Sequence, residues 1–154
     1  MTTRDAQKIP EPPDLLQCLQ AMTCYLPALE DPGFSPGAVH SGEKTESGSI
    51  IMPYVVLGEA AEAFVTSAYD RGWVLPDFHW ASWCWSEDAR ALCSNPSALA
   101  RAEPMQLLYL ITALIRQDRF SEGTLLEAFR GGLILGIVRR AVAIVEDENG
   151  QSQS

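Results

Sequence analysis

The sequence predicts a mainly α fold, a single compact orthogonal bundle of five to six helices with at most one minor strand. Apolar side chains recur at the three- and four-residue spacing of amphipathic helices through most of the chain. The one short β-branched run, over 50–56, is interrupted by Pro53, and a lone strand cannot form a sheet. With 154 residues and 47% apolar side chains, the chain can form one domain with a sizeable core.

Helical periodicity between suitable caps is found in six longer segments and one short one. The longer segments are 14–29, 57–71, 77–92, 105–117, 121–130 and 133–146, and the short one is 97–102. Asp14 is a good N-cap for the first, and Pro27 should bend or end it. Gly72 follows the second segment at the position that favours glycine. The segments 105–117 and 133–146 have few polar positions, which predicts that these two helices are the most buried.

Three segments lack this periodicity. Residues 1–13 are polar and proline-rich, which predicts a disordered N-terminal arm. The helical domain, 14–146, contains a Gly-, Pro- and Ser-rich stretch over 30–48 that predicts a flexible loop. Residues 147–154 are predicted to be a disordered acidic tail.

The charge balance limits the classes of partner. Twenty acidic residues face eleven basic ones, for a formal charge of -9. Because binding to phosphates needs clustered cations, we expect no direct nucleic-acid binding. No apolar run reaches the roughly 18–20 residues that span a bilayer, and the N-terminus lacks the apolar stretch of a secretory signal. These features predict a cytoplasmic protein without membrane contact, whose partner is another protein with a basic surface.

Catalytic and metal-binding templates are missing from the sequence. It has no GxSxG, Walker, GxGxxG or HExxH motif, and its two histidines are His40 and His79. The cysteines share no CxxC or CxxH spacing and are Cys18, Cys24, Cys84 and Cys93. On one continuous helix Cys84 and Cys93 would face opposite sides. We therefore expect reduced, buried thiols, no enzyme activity, and no metal or cofactor, with a disulfide or metal site as the alternative.

All four tryptophans fall within 73–85. Trp80 and Trp83 are three residues apart and share a helix face, which favours core packing for both. Trp85 points elsewhere, so either packing at the rim of the core or recognition of a partner is possible for it.

Four charged residues, Arg116, Asp118, Arg119 and Glu122, lie at the junction of two apolar helices. An unpaired charge beside a buried helix is costly, so we expect these four to form a mutually paired cluster that holds the helices together. The alternative is that the two arginines form a site for an anion or a partner.

The Trp-rich segment 78–80, the signature at 116–123 and the Gly-terminated helix end at 128–131 resemble motifs of a bacterial family of unknown function, DUF6508. The resemblance covers about residues 54–145. It implies a small, mostly helical domain of bacterial or mobile-element origin. It implies no activity.

These observations lead to the hypothesis of a non-enzymatic, acidic protein-binding or regulatory module. A narrower hypothesis is an inhibitor of a nucleic-acid-binding defence complex, in the manner of anti-CRISPR proteins, whose carboxylates occupy cationic channels meant for phosphates. The candidate binding residues are Trp80, Trp83, Trp85, Glu30, Asp31, Glu43, Glu46, Glu59 and Glu62. The alternatives are a housekeeping helical domain whose acidity only maintains solubility, and an enzyme of unrecognised type.

Overall fold

The computed structural model describes residues 14–40, 46–49 and 52–152, and the side chains of these ranges as far as residue 150. In chain order the elements are α1 (Leu15–Thr23), α2 (Leu26–Glu30), β1 (Gly37–His40), β2 (Tyr54–Leu57), α3 (Glu59–Asp70), α4 (Trp80–Trp83), α5 (Glu87–Ser94), α6 (Pro96–Leu99), α7 (Pro104–Asp118), α8 (Thr124–Arg130) and α9 (Leu133–Ser152). The predicted mainly helical fold is confirmed. The predicted number of helices was wrong, because the described ranges contain nine helices and not five or six. The predicted arm over 1–13 and Glu43 lie outside these ranges.

Two predicted helices are each divided in two by a local signal. The segment 14–29 forms α1 and α2, and Pro27 lies in the first turn of α2. A proline ring clashes with the carbonyl of the residue four positions earlier, so α1 cannot continue through it. The segment 77–92 forms α4 and α5, because Ser86 ends one and begins the other. Its hydroxyl donates to the Trp83 carbonyl at 2.6 Å and accepts from the N–H of Ala89 at 3.1 Å.

Two strands replace the single minor strand that the sequence predicts. β1 pairs with β2 in antiparallel register, with Gly37 opposite Leu57 and His40 opposite Tyr54. Gly37 has φ of +136°, and a Cβ there would collide with the backbone of Val56 and Leu57. The predicted loop over 30–48 was therefore wrong for 37–40. A four-residue strand whose only apolar side chains are Ala38 and Val39 cannot be recognised from its own sequence, because its pairing with β2 is what defines it.

The core lies around α7 and α9, which contribute more buried residues than any other described helix, although the shorter α8 is buried over a larger share of its length. In α7 the eight residues buried are Leu107, Leu108, Leu110, Ile111, Thr112, Ala113, Leu114 and Ile115. α9 contributes Ile134, Ile137, Val138, Ala141 and Val145, and α1 packs along it. Aromatic rings of Tyr25, Phe64, Trp73 and Phe129 complete this core beside α3.

The last helix is longer than predicted. α9 continues to Ser152, so the predicted disordered tail was wrong for 147–152. Once a helix is anchored by packing, each further residue adds a backbone hydrogen bond without a new nucleation cost, and a polar sequence can continue it. No helix within the described residues is long and apolar enough to cross a membrane.

Candidate functional site: an exposed aromatic surface

The tryptophan-rich segment is fixed to the central helix by one threonine. Thr112 is the buried polar side chain of α7. Its hydroxyl accepts from the N–H of Leu75 at 2.9 Å and donates to the carbonyl of Trp73 at 3.1 Å. The Trp73 ring is fully buried against Phe64, 5.2 Å away between centroids. These contacts determine where the chain leaves the core and enters α4.

Beyond this anchor, a second set of rings supports α4. Phe78 stacks on Tyr109 of α7, with centroids 4.2 Å apart and planes 13° from parallel. Trp83 packs against both rings, at 5.8 Å from Phe78 and 5.7 Å from Tyr109. Trp83 is half-buried and packs on the core, as predicted. The short helix α4 thus rests on the outer face of α7.

The outer side of this layer exposes aromatic rings to solvent. Trp80 is half-buried and stacks on Phe120, with centroids 6.0 Å apart, so its predicted place in the core was wrong. Phe120 is 82% exposed and Trp85 is 77% exposed. Trp85 and Gln117 line one pocket, and the Gln117 carbonyl accepts from the N–H of Phe120 at 2.9 Å. We call Trp80, Trp85 and Phe120 at this end of α7 the aromatic surface.

Arg119 borders the aromatic surface and connects it to α3. Its Nη2 donates to the Tyr69 hydroxyl at 2.7 Å, and its Cζ lies 5.8 Å from the centroid of that ring. Such a cation over an aromatic face is stabilised by the ring quadrupole. Both residues are exposed, so the pair lies at the surface between the ends of α3 and α7.

The predicted ion-pair cluster at 116–122 was wrong. No carboxylate lies within 4 Å of Arg116 or Arg119 among the residues that the structure describes. Asp118 instead accepts two backbone hydrogen bonds with Oδ1, from Gly123 at 3.2 Å and Leu125 at 3.0 Å. The first N–H groups of a helix have no acceptor within it. Those at the start of α8 donate to the Asp118 carboxylate, which therefore needs no arginine as a partner. Glu122 is exposed.

This arrangement predicts different costs for two alanine substitutions. Asp118→Ala should lower the free energy of unfolding by about 1–2 kcal/mol, because it removes the cap of α8. Arg119→Ala should change it by about 0.5 kcal/mol or less, since the side chain is exposed. Urea denaturation of both variants measures the difference. A larger loss for Arg119→Ala than for Asp118→Ala would contradict this account and support a buried ion-pair cluster.

The comparison with protein families assigns the chain. A family model described as "Family of unknown function (DUF6508)" matches residues 15–147. The chain belongs to the DUF6508 family. The match includes α1 and α2, which lie outside the resemblance over 54–145. Comparison with curated proteins and with solved structures found no match.

The carboxylates predicted to bind a partner lie on several elements of this DUF6508 protein. Glu30 ends α2 and forms an ion pair with Arg139 of α9, with Oε2 2.9 Å from Nη2. Asp31 accepts from the N–H of Gly33 at 2.8 Å. Glu59 and Glu62 are exposed in the first turn of α3, and Glu46 is exposed in a turn. Of these, Glu30 already has a cationic partner and is the least available for another protein.

The cysteines of this family member are free thiols, but the expectation that they are buried was wrong for Cys24 and Cys93, which are exposed. The break between α4 and α5 brings Cys84 and Cys93 to one pocket of about 230 Å³, so the expected opposite orientation was wrong. Partial desolvation raises the pKa of both thiols, and Cys84 raises that of Cys93 further. Burial and the nearby Asp14 carboxylate raise the pKa of Cys18. A raised pKa reduces the thiolate fraction at neutral pH, so none of these three thiols is activated as a nucleophile.

Two residues of this site were missed at the level of sequence. Phe120 lies within the signature 116–123, where the predictions concerned only the charged neighbours, as an ion-pair cluster or a binding site. Tyr69 belongs to the apolar face expected of α3, but it is 43% exposed and bonded to Arg119. The position of Phe120, between the predicted helices over 105–117 and 121–130, was the signal available for an exposed ring.

Proposed function

We propose that this chain is a non-enzymatic protein-binding module of bacterial or mobile-element origin that contacts its partner through the aromatic surface. The observation that carries the proposal is the exposure of Trp85 and Phe120, at 77% and 82%. Large aromatic side chains are unfavourable in water and supply much of the binding energy at protein interfaces.

The support beneath the aromatic surface favours binding further. Trp80 stacks on Phe120, and α4 packs on α7 through Phe78, Trp83 and Tyr109. Rings held in place before binding lose little conformational entropy when a partner covers them. Arg119 and Tyr69 at the border provide polar groups for the rim of such an interface.

The charge of the chain indicates the kind of partner. A formal charge of -9 attracts a protein with a basic surface, and Glu59 and Glu62 are exposed carboxylates that can contribute. In the narrower form of the proposal, the partner is a nucleic-acid-binding defence complex whose cationic channel these carboxylates occupy.

The proposal predicts that the partner is lost when the aromatic surface is removed. Immobilised wild-type chain should retain a specific protein from a lysate of its source organism, identified by mass spectrometry. The double variant Trp85→Ala, Phe120→Ala should retain at most about a tenth as much, since truncation of a hot-spot residue costs about 2 kcal/mol or more. Circular dichroism of each variant checks that the fold is intact.

Met52→Ala is the matched control, because Met52 is 76% exposed and lies outside the aromatic surface. It should retain the partner as the wild type does. If a basic surface of the partner contributes, a higher salt concentration should weaken retention. The substitutions Glu59→Lys and Glu62→Lys should weaken retention as well. Equal retention by the double variant and the wild type would reject the aromatic surface, and absence of any specific partner would favour a housekeeping domain.

A further inference from the structure

A cavity of about 570 Å³ lies between α5 and α6 and the first half of α9. Its volume is within the range of roughly 300–1,000 Å³ that small-molecule sites occupy. The apolar part of its lining includes Leu92, Pro96, Leu99, Leu133 and Ala143. Trp80, Trp85 and Phe120 do not line it, although Cys93 lines both this cavity and the pocket beside Trp85.

The charges around this cavity differ from those of the chain as a whole. The chain has a formal charge of -9, yet the lining includes Arg139 and Arg140 and no Asp or Glu. Arg139 is neutralised by Glu30, whose Oε2 is 2.9 Å from its Nη2. The cavity is thus a cationic, mainly apolar site in an acidic protein.

Arg140 is held in place while part of its guanidinium remains available. Its Nε donates to the carbonyl of Ala102 at 2.8 Å, and the residue is half-buried. Within the described ranges no carboxylate lies within 4 Å of it, and its two Nη groups have no hydrogen-bond acceptor. A fixed guanidinium with free N–H groups matches the geometry of a carboxylate.

The floor of the cavity is the backbone of α9. Gly136 of α9 lines the cavity, as does Gly132 just before the helix, and a Cβ on Gly136 would lie 2.6 Å from Cδ2 of Leu99. Glycine inside a helix is disfavoured relative to alanine, so Gly136 lowers the stability of α9. The missing side chain allows Leu99 to approach α9 and form one wall of the cavity.

We propose that this cavity binds a small amphiphilic monocarboxylate, with its head group on Arg140 and its apolar tail against Leu92, Leu99 and Leu133. One guanidinium without a counter-charge matches a head group with a single negative charge. The apolar walls match a tail, because burial of apolar surface favours binding. This small-molecule site goes beyond the proposed binding of a protein partner and does not depend on it.

Calorimetric titration of the full chain tests the proposal with three probes: decanoate, decanol and inorganic phosphate. Decanoate should bind saturably at one site, more tightly than decanol, which lacks the charge, and than phosphate, which lacks the tail. Arg140→Gln should weaken decanoate binding about tenfold or more. Arg130→Gln is the matched control, since Arg130 is exposed, pairs with Glu127 and lies outside the cavity, and it should leave binding unchanged.

A second variant keeps the test decisive if Arg140→Gln does not fold. Ala143 is an exposed residue of α9 that lines the cavity, so Ala143→Trp fills the site without a change of charge and should abolish decanoate binding. Amide chemical shifts should change at Leu99, Gly132 and Gly136 when decanoate is added. The proposal is overturned if Ala143→Trp binds decanoate as the wild type does, if phosphate binds more tightly than decanoate, or if Trp85→Ala abolishes the binding.

Discussion

Trp73→Ala is expected to lower the free energy of unfolding by about 3–5 kcal/mol. Trp73 is fully buried, and its ring contacts Phe64 at 5.2 Å and Tyr25 at 6.2 Å between centroids. Truncation removes a large apolar surface and leaves a cavity that these neighbouring rings cannot fill. Urea denaturation followed by circular dichroism measures the loss.

Trp85→Ala provides the control for this prediction, because the same substitution is made within the same segment. Trp85 is 77% exposed, so its truncation should change the free energy of unfolding by about 0.5 kcal/mol or less. Trp73→Phe should cost less than Trp73→Ala, since Nε1 of Trp73 has no hydrogen-bond partner and its loss leaves no acceptor unsatisfied. Similar losses for Trp73→Ala and Trp85→Ala would show that the segment does not pack as described.

Thr112→Val is expected to lower the free energy of unfolding by about 1–3 kcal/mol. The substitution conserves shape but removes the hydroxyl that accepts from Leu75 and donates to Trp73. Both backbone groups would then be left in the core without a partner, and each costs the free energy of its lost solvation. Thermal and urea denaturation, compared with the wild type, measure the effect.

Two further threonine variants separate the hydrogen bonds from packing. Thr112→Ser keeps the hydroxyl and should recover most of the loss of Thr112→Val, apart from the contribution of one methyl group. Thr23→Val removes a hydroxyl that makes a solvent-exposed hydrogen bond to the Gln20 carbonyl near the end of α1, and it should cost about 0.5 kcal/mol or less. If Thr112→Ser is as unstable as Thr112→Val, the hydroxyl is not what fixes the Trp73–Leu75 segment.

Sequence reasoning was most accurate where the signal is local. α3 lies within the predicted 57–71, and Gly72 has φ of +79° at its end. α7 lies within one residue of the predicted 105–117, since Pro104 begins it and its apolar residues surround the axis. Periodicity and caps depend on neighbours in the chain, so no tertiary contact was needed to recognise them.

The candidate site was harder to predict because it depends on contacts between distant residues. The sequence placed all four tryptophans in one segment, but burial of Trp73 requires Phe64 and the hydroxyl of Thr112. Trp80 does not pack in the core. It stacks on Phe120, which lies forty residues further along the chain. A helical wheel shows on which face of a helix a side chain lies, but it does not show which other element packs against that face.

The sequence by itself determined that this chain is mainly helical, that α7 and α9 are central and that it resembles DUF6508. Only the tertiary structure decided which aromatic rings are exposed, that Asp118 caps α8 and does not pair with an arginine, and that Cys84 and Cys93 share a pocket. The physical reason is the range of the interactions. Helix propensity and capping act within about four residues, whereas burial, competition for hydrogen-bond donors and cavity shape depend on how separate elements pack.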